Sequence, residues 1–291
     1  MNWKEVIIEI NKEAAEASAN ILNEFGAGGV VFDSKKDKEI LKAYFYDDQD
    51  FPDLMENIKE KINKLKDFGL ARGVVLYTIN ETRHEDWANS WHEYFKAIKV
   101  GNNFIISPSW EKAIDTDRML IEIDPGMAFG IGSHETTQMC IELLEKYIQA
   151  NDTIDNMLDI GTGTGILSIV AAYLGIDDIT GIDIDPAAVS AAQKNIEINQ
   201  VQNKVKIIKG DLGKDITGVY SIITANLLPN LIMDLLPSIP VLMDKNSILI
   251  LSGIIREKRD MIIKKMDSLK LKSIEETYNN EWLSIVAVKK R

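Results

Sequence analysis

MLDIGTGTG, residues Met157 to Gly165, is the most informative stretch of the chain. Its first four residues predict a short buried strand, and the glycines after them predict a tight turn. The apolar residues Ile166 to Ala172 then have the length and spacing of a helix. Strand, glycine turn and helix together form the opening unit of a nucleotide-binding α/β fold, in which the helix N-terminus faces the ligand.

An acidic side chain follows the next predicted strand. Asp183 lies in TGIDIDP, residues Thr180 to Pro186, about 20 residues beyond the first glycine. A carboxylate at this position can accept hydrogen bonds from both hydroxyl groups of a ribose. The two stretches together therefore predict a ligand that contains a nucleoside.

The spacing of the glycines narrows the ligand further. Gly161, Gly163 and Gly165 form G-x-G-x-G, whereas the dinucleotide fingerprint G-x-G-x-x-G requires glycine where Ile166 stands. A pyrophosphate ligand is disfavoured, and Asp159 would repel it but can bind an ammonium group. Ribose, adenine and an amino-acid ammonium without phosphate describe S-adenosylmethionine. The alternative is a glycine turn that only makes a tight corner between strand and helix.

Composition limits the class of protein. The chain has 291 residues, enough for two domains, and its net charge of −12 disfavours direct binding to a nucleic acid backbone and favours basic partners. Cys140 is the single cysteine, so an internal disulfide is excluded, and no Cys/His cluster indicates a metal site. We find no signal peptide and no run of membrane-spanning length. We therefore expect a cytoplasmic monomer that does not bind membranes.

The residues before the glycine turn divide into two parts. Residues 1–80 alternate as β-α-β-β-α-β, the order of a small ferredoxin-like α+β domain. Residues 81–103 contain Trp87, Trp91 and Phe95, whose spacing of four places three rings on one face of a predicted linker helix. That helix either packs its rings on a domain or acts as a hinge or as part of the substrate surface.

Residues 104–291 form the predicted ligand-binding domain, a doubly wound seven-stranded sheet. Its last two strands are joined by Asn279 and Asn280, which predicts a terminal antiparallel hairpin of the methyltransferase type. A glycine-rich loop, residues 124–137, precedes the glycine turn and either folds over the ligand or simply enters the next helix. In this loop Ser133 is the predicted helix cap, and His134 is a candidate base without a visible partner.

Polar residues end successive strands of this domain: Asp159 with Gly161, then Asp183, Asp211 and Asn226. Because ligands of such sheets lie at the carboxyl ends of the strands, these residues should converge on one crevice. We expect Asp183 to hold the ribose, Asp211 to contact the adenine amino group, and Asn226 to face the transferable methyl group. Each residue alone is equally consistent with a strand-end cap or a turn.

The glycine turn, the stretch Gly181 to Pro186 and the loop DPGMAFG with HETT resemble the bacterial ribosomal protein L-eleven methyltransferases, the PrmA family. The resemblance implies methyl transfer to lysine and N-terminal amines of one basic large-subunit ribosomal protein. It also implies that the N-terminal domain recognises this substrate while a mobile linker brings several amines to one site. By position, the family's cofactor contacts correspond to Thr137, Gly161, Asp183 and Asn226, with Phe129 in the adjoining loop; Gly163 and Asp159 lie in the same glycine stretch.

The chemistry expected of such a site needs alignment more than acid–base catalysis. The acceptor amine must be neutral, and both burial and a neighbouring sulfonium lower its pKa. We therefore expect Asn226 to position the amine, with no general base. Asn226 is followed by Leu227 and Leu228 where many amino-methyltransferases carry Pro-Pro-aromatic, so an aromatic residue against the acceptor must come from elsewhere or be absent.

Two other functions are compatible with the same residues. One is a methyltransferase of this fold that acts on another protein or on a small molecule. The other is a sensor or scaffold that binds an adenosyl compound without turning it over. A nicotinamide dehydrogenase is disfavoured by the glycine spacing.

Overall fold

The structure is a computed structural model. Its contacts divide the chain into two compact units, Met1–Tyr94 and Phe95–Arg291. The aromatic residues Trp87, Trp91 and Phe95 of the predicted linker lie outside the described residues, so the linker helix stays a prediction. The structure describes residues 3–27, 30–35, 38–46, 51–68, 73–82, 96–111, 117–124, 134–151, 153–212 and 216–290.

The first unit is one antiparallel sheet with two helices. The strands are hydrogen-bonded in the order β2-β3-β1-β4, and every neighbouring pair is antiparallel. Alternate residues of β1 and residues four apart in α2, such as Ile58 and Ile62, are buried in one apolar core. The elements are β1 Trp3–Asn11, α1 Lys12–Glu24, β2 Val30–Lys35, β3 Lys38–Tyr46, α2 Phe51–Lys64 and β4 Leu76–Thr82.

The second unit contains a three-stranded sheet and a seven-stranded sheet. Its described elements are β5 Ile98–Val100, β6 Phe104–Pro108, β7 Met119–Ile123, α3 Glu135–Gln149, β8 Asn156–Ile160, α4 Ile166–Tyr173, β9 Asp178–Asp183, α5 Pro186–Ile198, β10 Val205–Lys209, β11 Ile222–Asn226, α6 Pro229–Leu235, α7 Ile239–Leu242, β12 Ile248–Ile255, α8 Arg259–Ser268, β13 Leu271–Asn279 and β14 Trp282–Lys289. The sequence placed 98–100 within the linker helix, which is wrong: β5 pairs with β6 in the small sheet.

The large sheet is mixed. Its strand order is β10-β9-β8-β11-β12-β14-β13. The first five strands in this order are parallel to one another, and β14 is antiparallel to both β12 and β13. This confirms the α/β class. Strand β8 has β9 on one side and β11 on the other, so the chain reverses direction across the sheet beside the glycine turn. Ligands of open α/β sheets bind at the carboxyl ends of the strands beside such a point.

Successive residues of the central strands face opposite cores. Met157 belongs to the core that contains α3 and α4, whereas Leu158 belongs to the core that contains α6, α7 and α8. Both side chains are fully buried. A strand covered on both faces has nearly all of its side chains buried, and in β8 residues Met157 to Ile160 are all buried. The strand ends are thereby held rigidly at one edge of the sheet.

Candidate functional site

A cavity of about 580 Å³ lies at this edge of the sheet. Residues from the glycine turn, from the ends of β9, β10 and β11, and from the start of α3 line it. It therefore brings together residues that are far apart in the sequence. Six of the sequence-predicted site residues line the cavity: Thr137, Gly161, Gly163, Asp183, Asp211 and Asn226.

The glycine turn has a backbone that other residues rarely adopt. Gly161, Gly163 and Gly165 have φ of 71°, 57° and 82°, in the left-handed region. A side chain on Gly161 would also overlap the Leu227 side chain. Ile166, which stands where the dinucleotide fingerprint requires glycine, begins α4 and is buried in the core.

Asp183 links the glycine turn to the end of β9. Its Oδ2 accepts a hydrogen bond from the backbone N–H of Gly163 at 2.9 Å, and its Oδ1 accepts one from the N–H of Asp185 at 3.0 Å. These two bonds fix the carboxylate while it still lines the cavity. A fixed carboxylate with spare lone pairs suits a pair of vicinal hydroxyl groups. Asp185 also lines the cavity, but its Oδ1 caps α5 by accepting from the N–H of Ala187.

Asp159 does not line the cavity. Its carboxylate is 1% exposed and accepts hydrogen bonds from three hydroxyl groups: Thr162 at 2.7 Å, Ser168 at 2.9 Å and Thr224 at 2.8 Å. Burial raises the pKa of Asp159, and the three hydroxyl donors lower it. Both carboxylate oxygens thus accept hydrogen bonds from the interior of the fold, and the direct contact between Asp159 and an ammonium group stays a prediction.

Asn226 ends β11 and faces the start of α3. Its Nδ2 donates to the Thr137 hydroxyl at 3.3 Å. With the amide nitrogen held in this way, the carbonyl oxygen Oδ1 is the free end of the side chain. Gly253 lies beside it on β12, with φ of 80°. A Cβ on Gly253 would lie 3.1 Å from Asn226 Oδ1 and would overlap the Leu227 carbonyl oxygen.

The cap of α3 is His134, which corrects the predicted cap, Ser133. The His134 backbone is extended, and its Nδ1 accepts from the N–H of Thr136 at 3.3 Å and contacts the Thr136 hydroxyl at 2.8 Å. A ring nitrogen that caps a helix is engaged there, which weakens the case for a general base. Ser133 and Phe129 lie outside the described residues.

Trp282 is one of the cavity residues that the sequence did not reveal. It lines the cavity at the start of β14, and its ring centroid lies 5.0 Å from that of His134, edge to face. The only available signal was its place just after the predicted hairpin turn. The remaining wall near Asn226 is apolar, with Leu227, Leu228 and Leu231.

The residues after β9 and β10 supply both acidic and apolar side chains to the other end of the cavity. Asp211 and Leu212 follow β10, and Leu212 has a left-handed φ of 45°. Ile184 lines the same end and is 62% exposed, an unusual position for its side chain. This end offers carboxylates and an apolar surface together, as an adenosine requires.

The described part of the chain has neither a metal-binding cluster nor a membrane-spanning helix. No group of three or more His, Cys, Asp or Glu side chains among those residues could hold a metal ion. None of the described helices is long and apolar enough to cross a membrane.

Comparison with known proteins agrees with this geometry. The model of the family described as "Ribosomal protein L11 methyltransferase (PrmA)" matches residues 2–290. A protein of that name from Alkaliphilus oremlandii is 38% identical, over 99% of this chain and 98% of its own length. One from Clostridium perfringens is 38% identical, over 88% of this chain and 81% of its own length. The crystal structure of a ribosomal protein L11 methylase from Lactobacillus delbrueckii subsp. bulgaricus has a TM-score of 0.62 at 27% identity, over 68% of this chain and 100% of that one. The present chain therefore belongs to the ribosomal protein L11 methyltransferase (PrmA) family.

Proposed function

We propose that this protein methylates ribosomal protein L11 on lysine side chains and on the N-terminal α-amine. Membership of the family makes the protein an S-adenosylmethionine-dependent methyltransferase. The proposal rests on one observation: the same cavity is lined by the glycine turn and Asp183 in one part and by Asn226 in another. One part offers groups for an adenosyl ligand, and the other offers groups for an amine.

We propose that Asp183 accepts hydrogen bonds from the ribose hydroxyls and that Asp211 contacts the adenine amino group. Gly161 and Gly163 let the backbone approach the ligand, because neither carries a side chain that would fill the cavity. Thr137 borders the methyl-transfer end. Phe129 is retained as a contact on the family pattern alone. Asp159 supports this arrangement through Thr162 and Ser168, whose hydroxyls bond to it.

The acceptor amine is proposed to lie between Asn226 Oδ1 and the Leu227 carbonyl oxygen. Both oxygens lie close to the point where a Cβ on Gly253 would stand. Two acceptors on one side of an amine would take its two hydrogens and direct its lone pair the opposite way. The apolar wall of Leu228, Leu231 and Trp282 suits the methylene chain of a lysine, and Trp282 can supply the aromatic surface that the Asn-Leu-Leu sequence lacks.

Free energies decide what the site must supply. S-adenosylmethionine brings a methyl group on a sulfonium, an electrophile that needs no further activation. A lysine amine with a pKa of about 10.4 costs about 4 to 5 kcal/mol to deprotonate at pH 7, and burial lowers this cost. Alignment in a fixed site contributes about 7 to 11 kcal/mol. The protein therefore needs positioning by Asn226 and no general base.

The finer architecture is also a proposal. We assign residues 1–80 to a ferredoxin-like domain that recognises the substrate, 81–103 to a linker that includes β5 at its end, and 104–291 to a seven-stranded methyltransferase domain. The strand order β2-β3-β1-β4 with two helices supports the first assignment. The net charge of −12 suits a basic ribosomal protein better than RNA. A monomer that works in the cytoplasm fits a ribosomal substrate.

The test is methyl transfer itself. The full-length protein is incubated with radiolabelled S-adenosylmethionine and unmodified ribosomal protein L11. Label in L11, located on lysine and N-terminal amines by mass spectrometry, supports the proposal. Label only in other ribosomal proteins or in small amines would assign a different acceptor. Binding of S-adenosylmethionine without any methyl transfer would instead support the alternative function, a sensor.

A further inference from the structure

We infer that Ser252 is a positioning residue that sets the placement of Thr137 relative to Asn226. The inference rests on the proposed function, in which these two side chains border the methyl-transfer end of the cavity. Ser252 does not line the cavity, and its side chain is 0% exposed. It acts only through its neighbours.

The backbone of Ser252 holds the acceptor side of the cavity. Ser252 is paired with Asn226 in the parallel ladder between β11 and β12. Its carbonyl oxygen accepts a hydrogen bond from the N–H of Leu227 at 3.1 Å. This bond continues the ladder one residue beyond β11, so the chain leaves Asn226 in a fixed direction.

The side chain of Ser252 holds the opposite side. Its hydroxyl donates to the backbone carbonyl of Thr136 at 3.1 Å, across 116 residues of sequence. Thr136 is the neighbour of Thr137, whose hydroxyl accepts from Asn226 Nδ2. One buried residue is therefore bonded to the chain on both sides of the Asn226–Thr137 contact.

A β-bulge explains how one residue reaches both sides. The register between β12 and β14 shifts between Leu251 and Ile254, around Ser252 and Gly253. Bulges redirect side chains and are frequent beside active sites. Here the bulge places Gly253 against the acceptor oxygens while Ser252 turns its hydroxyl toward α3.

The competing explanation is a hydroxyl that only stabilises the core. Ser284 provides the matched control, because its Oγ lies 2.7 Å from Ser252 Oγ and its side chain is also 0% exposed. Ser284 contacts the Met139 sulfur rather than the Thr136 carbonyl. Ser252→Ala and Ser284→Ala thus each remove one hydroxyl from the same buried pair, but only the first releases Thr136.

The experiment compares the dissociation constant of S-adenosylmethionine by calorimetry, kcat on L11, and the thermal unfolding midpoint for both variants. We expect Ser252→Ala to weaken binding and to lower kcat by about tenfold each, the effect of one lost buried hydrogen bond. Ser284→Ala should show a similar shift in unfolding midpoint with binding and kcat within about twofold of the wild type. Ser252→Cys, which keeps a weak donor, should be intermediate when it is assayed with a reducing agent, because position 252 lies beside the Cys140 thiol.

Unchanged binding and kcat in folded Ser252→Ala, or equal losses in Ser284→Ala, would overturn the inference. If Ser252→Ala does not fold, Ser252→Cys decides by the same two measurements. The binding measurement needs no acceptor protein. A wild type that binds S-adenosylmethionine but does not label L11 would reject the proposed acceptor, while the comparison of dissociation constants would still decide the role of Ser252.

Discussion

The Asp183 carboxylate accepts a hydrogen bond from the backbone N–H of Gly163, at 2.9 Å and across 20 residues of sequence. The end of one strand and the turn after its neighbour therefore hold each other in place. The same carboxylate lines the cavity, so the bond that orders the turn also aims the acidic group at the ligand. Loss of the Asp183 side chain should therefore disturb the glycine turn and also weaken ligand binding.

Asp183→Ala should weaken S-adenosylmethionine binding by about 100-fold, because a charged acceptor for two ribose hydroxyls is lost. At saturating cofactor, kcat should fall much less. Calorimetry and steady-state kinetics measure the two effects. Asp185→Ala is the comparison variant: Asp185 also lines the cavity, but its carboxylate caps α5. Its loss should reduce stability by about 1 kcal/mol and weaken binding much less than Asp183→Ala does. Equal losses of affinity in both variants would contradict the role of Asp183.

Asn226→Ala should produce the opposite pattern. Its amide is held by the Thr137 hydroxyl and presents Oδ1 to the acceptor space, so its loss leaves the amine without one of two acceptors. We expect kcat to fall by about 100-fold, as for other misplaced reactants, while cofactor affinity changes only a few-fold. Single-turnover methyl transfer under saturating cofactor measures the effect. A variant that loses affinity and keeps its rate would reverse the assigned roles.

The sequence was informative where a local rule fixes the position of a residue. Asp183 and Asn226 end parallel strands, and such ends meet at one edge of the sheet whatever the details of packing. Gly161 and Gly163 follow from the turn that a strand must make before its helix. The α/β class needed only the alternation of apolar runs.

The site features that the sequence did not predict depend on contacts between distant segments of the chain. The sequence did not show that Asp159 is a buried acceptor, because its three hydroxyl donors come from positions 162, 168 and 224 and no local pattern shows that they converge. Trp282 reaches the cavity through the hairpin register, and Gly253 reaches it through a β-bulge. The same bulge directs the buried Ser252 hydroxyl to the Thr136 carbonyl. A one-residue irregularity of this kind leaves no periodic signal in the sequence.

The buried Asp159 makes a testable contribution to the pH dependence of stability. Its pKa is raised in the folded protein by burial, so the folded state binds this proton more tightly than the unfolded state. The stabilisation is complete below the unfolded pKa of about 3.9 and is lost as the pH rises through the higher folded pKa. Urea unfolding of the wild type and Asp159→Asn at several pH values should show the wild type losing stability relative to the variant across this window. A wild type that gains stability relative to Asp159→Asn as the pH rises would contradict the sign.

Cys140 should be inert in the folded protein. It is the single cysteine of the chain and is fully buried, and burial raises its pKa to about 12. Because only the thiolate reacts, a disulfide reagent such as DTNB should not label the native protein at pH 8 and should label it fully in urea. Any slow labelling seen without denaturant should proceed at the rate at which the core around Cys140 opens locally. Rapid labelling of the native protein would show that the core around α3 is more accessible in solution than it is in the structure.

Gly253→Ala should separate the effect of a left-handed backbone from that of a filled acceptor space. Gly253 has φ of 80°, and its added Cβ would overlap the Leu227 carbonyl oxygen. Gly175 has φ of 104°, and a Cβ there meets no atom within 4 Å. Both substitutions carry the backbone penalty of about 1 to 2 kcal/mol. Only Gly253→Ala must also displace Leu227.

The two glycine variants therefore form a matched pair. Gly175→Ala should lower the unfolding midpoint and leave kcat unchanged, because its site is open and far from the cavity lining. Gly253→Ala should lower the midpoint further and reduce kcat by about 100-fold, since a shift of about 1 Å in an aligned acceptor has effects of that size. Thermal unfolding and methyl transfer at a temperature where both variants are folded give the two readouts. Normal kcat in folded Gly253→Ala would mean that the amine does not lie between Asn226 and the Leu227 carbonyl.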